Sequence, residues 1–593
     1  MNKNSRIINK KIIYSLILNT AVLLIALFVF TPGFEENDDT HMAMIAEGAF
    51  GIRNSHIFFS NILLGKFTVL LQTLVPAVRW HIILQYVFIY MAYVFSTYVL
   101  VNHRRGKYVS VIAVLSTFYE LYDSVQFTKT ATFVCAAGYL LLFEYIRNKT
   151  QLRNKHERLI SKEEYHRTEN TVFLTVGLIL ITYGIMLRFD GLFLAAVPAL
   201  AVGIIELLRT KNLKKYIIVF APVLALFFIL RMIDSVGYSS SAGWENVMER
   251  NTARSVLMDS RCDILDYSKY GEELKELGVS ENDALMLLTY QFGDNDVFSF
   301  ERMKEIAVPF PKKAFGYETF ANLFENIVNE FKRTYTLLAG LIGLIAVLIA
   351  SIVVDRSKSS PGFIKDSRYK LYMMFVMGAS CAAALVYFQY AGRYSRRLVS
   401  SLVISAIFMI CYMLDGVNLR ENRSEIVFGG NKDDITHISV VVLAVVIVIF
   451  NGMLYISNHE DFKAWKTEHA PIVRELDLMS EDKDAVYVFD TFTLQNLHKY
   501  DLFRVFPQGY YSNIFPSGSW YLGTPVTDGE LNKYGYSNPF EALRDTEAEV
   551  YLIDNGRVDN KITFLNEHYD GSFSAELQGN RGGLNIYKII KNQ

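Results

Sequence analysis

Apolar runs of about 20 residues, long enough to span a bilayer core at ~1.5 Å per residue, recur along the chain between polar stretches. About eleven stand out as spans: Ile12–Phe30, His81–Val101, Tyr108–Leu121, Thr130–Ile146, Thr171–Leu187, Leu192–Leu208, Tyr216–Met232, Tyr335–Val354, Leu371–Tyr390, Leu398–Leu414 and Ile438–Ile456. None has Lys, Arg, Asp or Glu near its middle, so each predicts a transmembrane helix. His56–Val75 is also apolar but carries Lys66 at its centre. Spanning would cost about 2.5–3.5 kcal/mol for that ammonium. A helix lying in the interface lifts it to water instead. The pattern therefore predicts an interfacial helix in the first outer loop. The alternative is a twelfth span, which would invert everything after it. The basic start, Met1–Lys11, followed by an apolar stretch resembles a signal peptide. No small-x-small cleavage site follows in Phe28-Val29-Phe30-Thr31-Pro32, so the first helix is expected to be retained.

The distribution of basic residues orients the spans. The pieces expected inside hold Lys3, Arg6, Lys10 and Lys11; Arg104, Arg105 and Lys107; the basic stretches 147–167, 209–215 and 356–370; and Arg420, Arg423 and Lys432. That is roughly three times the lysines and arginines of the short outer pieces, a bias that places the N-terminus in the cytoplasm and the C-terminus outside. Two long outer regions remain. The loop 234–333 has helical patterning at Ser280–Phe292 and Ser299–Ile306. The tail reads as a soluble α/β unit, with strands at Asp484–Phe489 and Glu549–Ile553, a helix at Val558–Glu567, and a closing hairpin from Ser574–Leu577 and Gly583–Ile589. Gln508–Tyr521, rich in Gly, Ser, Pro and aromatics, reads as a loop. The expected division is a membrane domain at 1–457 and an extracytoplasmic α/β domain at 458–593.

The full chain of 593 residues has a formal net charge of -1, which argues against nucleic acid as a partner. Cys135, Cys381 and Cys411 fall in apolar runs and only Cys262 is in a hydrophilic stretch, so neither a zinc site nor a disulfide framework is indicated.

Charge gathers at the outer ends of the helices. The first outer loop begins Pro32-Gly33-Phe34-Glu35-Glu36-Asn37-Asp38-Asp39-Thr40-His41, followed by a moderately amphipathic stretch, Met42–Phe50. Carboxylates at a membrane surface can take a proton from a hydroxyl or bind a cation; they also simply keep a loop hydrated. Glu120, Asp123 and Lys129 lie in the next outer turn, and Arg188 and Asp190 cap the fifth span. Arg393, Arg396 and Arg397 crowd one outer turn against the positive-inside bias, so something should compensate for them. Guanidinium forks suit a lipid phosphate, and they equally suit salt bridges to the acidic loops. Trp244, Arg254 and Asp259 in the large loop could line an acceptor cleft or be structural.

These residues resemble the GT-C superfamily, multi-spanning glycosyltransferases that use polyprenyl-phosphate-linked sugars. The resemblance rests on Asn37-Asp38-Asp39-Thr40. It is extended by Ile45–Gly51, Phe59–Gly65, Pro76–His81, Arg188-Phe189-Asp190-Gly191 and Gly392–Arg397. It implies transfer of a sugar to an extracytoplasmic glycan, lipid or protein acceptor, at a multi-pass plasma membrane and in building cell-envelope polysaccharide. It implies Asp38 or Asp39 as the catalytic carboxylate, and Glu120 or Asp123 as a second acidic site. Arg393, Arg396 and Arg397 would hold the lipid phosphate, with Lys129 and Arg188 as lesser candidates. No cofactor is certain, and a divalent cation stays open. The competing readings are a lipid-linked glycan flippase or transporter, and a polysaccharide polymerase or ligase. Transporters place ionisable residues at mid-membrane, which this chain does not.

Overall fold

The computed structural model describes residues 3–101, 106–154, 160–245, 247–308, 310, 315–357, 361–414, 432–495 and 497–592. Of the basic residues assigned to the inner side, Arg104, Arg105, Lys155, Arg158, Lys358, Arg420 and Arg423 lie outside these, as does the terminal Gln593.

The membrane region runs α1 (Lys3–Phe28), β1 (Gly33–Phe34), α2 (Asp38–Glu47), α3 (Ile62–Leu74), α4 (Trp80–Val101), α5 (Gly106–Phe118), β2 (Ser124–Val125), α6 (Phe127–Asn154), α7 (Ile160–Leu187), α8 (Phe189–Thr210) and α9 (Leu213–Ser239). The large loop then contributes α10 (Val247–Ser255), α11 (Tyr267–Glu276), α12 (Glu281–Leu288), α13 (Phe300–Ala307) and α14 (Tyr317–Arg333). The chain returns to the membrane through α15 (Tyr335–Ser357), α16 (Pro361–Tyr390), α17 (Arg396–Met413) and α18 (Lys432–Glu481). Among the described residues ten helices are long and apolar enough to cross a membrane: α1, α4, α6 to α9 and α15 to α18. The protein is a polytopic α-helical membrane protein. The eleventh expected span, Tyr108–Leu121, is α5 continued by a π-helical turn at Tyr119–Asp123.

The segment around Lys66 forms α3, whose 13 residues reach only about 20 Å, short of a bilayer core. Asn61 caps it by accepting from the Leu63 N–H at 2.9 Å. Its buried face (Leu64, Gly65, Thr68, Gln72) meets the protein, while Leu63, Lys66, Phe67 and Leu70 are exposed. This is the pattern of a helix lying along an interface. The moderately amphipathic stretch expected after the acidic motif is instead covered on all sides. In α2 every residue from Met42 to Glu47 is buried, because the tail covers the face that would otherwise meet water.

The tail holds β3 (Val486–Phe489), α19 (Thr491–Leu494), β4 (Ile514–Pro516), α20 (Pro525–Lys533), α21 (Pro539–Arg544), β5 (Val550–Ile553), α22 (Val558–His568), β6 (Ser572–Arg581) and β7 (Leu584–Asn592). The sheet order is β4-β3-β5-β7-β6, parallel across the first three strands and antiparallel across the last two pairs. β4 lies inside the segment expected to be a loop. Three residues are too few to show alternation, and glycine and serine flank them.

The large loop and the tail share one core. Leu257, Ile264, Met286, Phe292 and Phe298 pack with Val488, Leu552, Phe564 and Leu565. Gln291 of the loop donates to Asp490 at 2.8 Å, just beyond β3. Nor does a linker separate membrane domain from tail. α18 runs unbroken across residue 458, where the Asn458 side chain accepts from the Thr31 N–H at 3.1 Å and donates to Asp123 at 2.9 Å.

Candidate functional site

Two short parallel strands set up the site. Gly33 pairs with Ser124 and Phe34 with Val125, stitching the loop after α1 to the turn after α5. Asn37 precedes α2, which puts Asp38 and Asp39 in the first turn, where carboxylates are favoured by the helix dipole. α2 ends at Gly48, which adopts φ +84° and donates back to Met44 and Ile45. A side chain there would face strain and collide with Arg53.

The adjacent carboxylates point different ways. Asp38 lines a cavity of about 1230 Å³ between the ends of the membrane helices and the roof made by the loop and tail. Asp39 is fully buried behind its wall, one oxygen accepting from Gln85 at 2.9 Å and the other from the Phe127 N–H at 3.1 Å. It thereby fastens α2 to α4 and to the start of α6. Burial pushes its carboxyl up to about 7 and also raises that of Glu36.

Each arginine of the 393–397 turn has a carboxylate from a different element. Arg397 bridges Glu36 and Asp38, the latter at 3.3 Å. Arg396 meets Glu120 at 2.9 Å. Arg393 reaches Asp259 only at 4.0 Å and donates to the Ser255 hydroxyl at 3.0 Å. Glu120 and Asp259 both sit in π-helical turns, which aim them off the helix register. The close approach of the second π turn requires Gly392, at φ +66°, because a β-carbon there would strike the Ser260 carbonyl. The expected compensation for the arginine cluster is thus supplied by salt bridges. Arg393, with its side chain 46% exposed, is the loosest of the three.

Other candidates divide the same way. Lys129 is fully buried between Glu35 and Glu120, the latter at 2.8 Å. Asp123 is buried and bonded to Asn458. Arg188 lines the cavity, 3.2 Å from Asp190 and stacked over Phe127 and Phe59. The cavity therefore gathers Asp38, Arg188, Asp190, Arg393 and Arg397, while Asp39, Glu120, Asp123, Lys129 and Arg396 support it from behind. In the large loop, Arg254 and Asp259 line the cavity, whereas Trp244 stacks on His56 at 4.3 Å.

The walls differ in chemistry. On the membrane side Phe193, Leu194 and Val197 of α8 face Ala384, Tyr387 and Phe388 of α16, forming an apolar crevice. The roof presents Thr491, Phe492, Gln495, His498, Tyr511 and Trp520. His41, one turn along from Asp38, is also on the cavity wall, and burial lowers it to about 4. The tail's share of the roof is not legible in the sequence. Its residues carry no recurrent spacing, and only the sheet topology brings the ends of β3 and β4 over the membrane helices.

Cavity carboxylates Glu36 and Asp38 share Arg397, so a divalent cation there would have to displace a guanidinium. A separate group with ligand spacing, Asp283, Glu567 and His568, lies in the roof. There His568 and Asp283 bond to each other at 2.7 Å and Ser280 donates to Glu567 at 2.8 Å.

No family model and no curated protein matches the chain. Among solved structures, the chain is similar to ArnT from Cupriavidus metallidurans bound to undecaprenyl phosphate. The match covers 97% of both chains at 11% identity, with a TM-score of 0.36.

Proposed function

We propose that this chain is a membrane glycosyltransferase of the GT-C kind, moving a sugar from a polyprenyl-phosphate carrier to an extracytoplasmic hydroxyl acceptor. The reading rests on one juxtaposition. The Asp38 carboxylate and the Arg393 and Arg188 guanidinium groups face a single cavity whose membrane side is an apolar crevice and whose other side is a polar roof. A lipid phosphate requires cations at the end of an apolar path, and a transfer to a hydroxyl requires a base beside them. The prenyl chain lies along α8 and α16, and its phosphate meets Arg393 and Arg188. Asp38 takes the acceptor proton as the acceptor oxygen bonds to the anomeric carbon. The bond from that carbon to the phosphate oxygen breaks with inversion, and the electron pair leaves on the phosphate. A site shielded from water strengthens the guanidinium contacts to that departing charge. Asp39 acts by fixing α2, and Glu120, Lys129 and Arg396 by holding the arginine turn in place. The loop, tail and cavity lie outside the cytoplasmic membrane. The test is transfer from a radiolabelled polyprenyl-phosphate sugar pool in membranes, comparing the parent with Asp38→Asn at matched expression. Equal transfer by the two would remove Asp38 as the base.

A further inference from the structure

The tail brings a hydrogen-bonded chain to the cavity that the transfer chemistry leaves unused. Between β3 and β4, Asp501 Oδ2 lies 2.8 Å from His498 Nδ1, and His498 Nε2 lies 2.6 Å from the Tyr511 hydroxyl. His498 and Tyr511 are buried and both line the cavity. Phe506 packs edge-on to the imidazole at 4.6 Å, and the Tyr511 ring lies 5.4 Å from Phe50. The Tyr511 N–H donates to Ala49 at 2.7 Å, fixing this part of the roof to the turn after α2.

The chemistry of the three groups sets the direction of the chain. An ionised carboxylate only accepts, so the imidazole proton resides on Nδ1. Neutral His498 then can only accept at Nε2, which makes the Tyr511 O–H the donor. The lone pairs of the phenol oxygen are left for a ligand. The charged and titratable groups around the imidazole are Asp501, Arg504 and Tyr511 of its own segment, Arg79 ahead of α4, and His41 of α2. Asp501 favours protonation, while burial and the two arginines oppose it. Burial prevails, holding His498 below the usual histidine range and therefore neutral near pH 7.

We propose that Asp501, His498 and Tyr511 form a polarity-setting relay that presents the Tyr511 oxygen as a hydrogen-bond acceptor to a hydroxyl of the incoming, water-side substrate. Tyr511 would be the binding residue, with His498 and Asp501 positioning it. This rests on the transferase reading. It concerns the water-side substrate because Tyr511 belongs to the roof, opposite the apolar crevice of α8 and α16. Protonating His498 reverses the chain. Nε2 then donates to the phenol oxygen, and Tyr511 turns from acceptor to donor.

The test uses the full chain in membranes with a radiolabelled polyprenyl-phosphate sugar and the membranes' own acceptors, from pH 5 to 8. Tyr511→Phe and His498→Ala are expected to lower transfer about tenfold at pH 7, the scale of one neutral hydrogen bond. His498→Gln keeps an acceptor at the Nε2 position, so it should retain transfer and lose the parent's fall in activity on acidification. Parent-like rates and pH profiles in Tyr511→Phe and His498→Ala would overturn the relay while leaving the transferase reading standing. Histidine ¹⁵N NMR, assigned with the His498→Gln variant, is the second measurement and needs no turnover. The neutral Nδ1–H form at pH 7 supports the polarity of the Asp501–His498–Tyr511 chain whatever the parent transfers, whereas a parent that transfers nothing overturns the transferase reading and with it the substrate hydroxyl assigned to Tyr511. An imidazolium or an Nε2–H form at pH 7 overturns the relay.

Discussion

The Arg397 guanidinium lies 3.3 Å from the Asp38 carboxylate, joining the first turns of two helices 359 residues apart in the chain. Glu36 holds the same guanidinium. Neutralising Asp38 therefore leaves Arg397 a partner. Asp38→Asn is expected to fold normally and to lose about 10²–10⁴-fold in transfer, the usual contribution of a general base. Matched expression and thermal stability, read beside the transfer assay, separate this outcome from misfolding.

The three clustered arginines should not behave alike. Arg393→Ala removes a half-exposed cation with a distant ion partner and should weaken polyprenyl-phosphate binding by about 10-fold or more, as for loss of a hydrogen bond to a charged group. Arg396→Ala takes from the buried Glu120 one of its two cations. It should instead destabilise the protein, by up to about 3–5 kcal/mol. Binding isotherms and thermal unfolding on the same samples would show the contrast. Unchanged binding in Arg393→Ala counts against that cation as the phosphate contact.

Asp39 links stability to pH. Its carboxyl titrates at about 7 in the folded protein against 3.8 without burial, so between those values the folded state binds the extra proton. That contribution is present below about pH 4 and is lost as pH rises towards 7. Glu47, also raised to about 7, acts in the same direction. Asp39→Asn should flatten part of the fall in melting temperature between pH 5 and pH 7.5. An unaltered slope would show that Asp39 ionises freely in the folded state.

In the tail, Lys561 is fully buried between Asp490 at 2.9 Å and Asp554 at 2.6 Å, just beyond β3 and β5. Lys561→Met removes the buried cation shared by two buried carboxylates and should cost about 3–5 kcal/mol. Because Asp490 also accepts from Gln291, the damage should reach the large loop. Limited proteolysis is expected to open both segments together.

The orientation predicts that a reporter fused after Gln593 lies outside the cytoplasm. A cytoplasmic reporter would require one crossing more or one fewer before the tail, and the short α5 would be the candidate for the one lost. The segment containing α3 would be the candidate for the one gained.

Hydropathy made the membrane half legible, since a bilayer imposes length and composition on each crossing. Lys66 was enough to set α3 apart from the spans. Asp38 and Asp39 were visible as a pair but not as different in role. Their separation follows from the position of Gln85 and the Phe127 N–H, contacts that lie 46 and 88 residues away. The arginines were conspicuous because they opposed the charge bias, yet their individual partners come from α2, from two π-helical turns and from a distant loop. His498 and Tyr511 gave no signal. Thirteen residues separate them, and nothing in that spacing marks an acid–imidazole–phenol chain.

α18 has 50 residues, about 75 Å end to end as a helix. Asn458 ties it to Thr31 and Asp123, and the turn at Gly582 rests against its Pro471 carbonyl. Such a mast ties the canopy of loop and tail to the helix bundle. On the transferase reading, the lipid would enter sideways from the bilayer plane along α8 and α16, and the water-side partner from beneath the eaves.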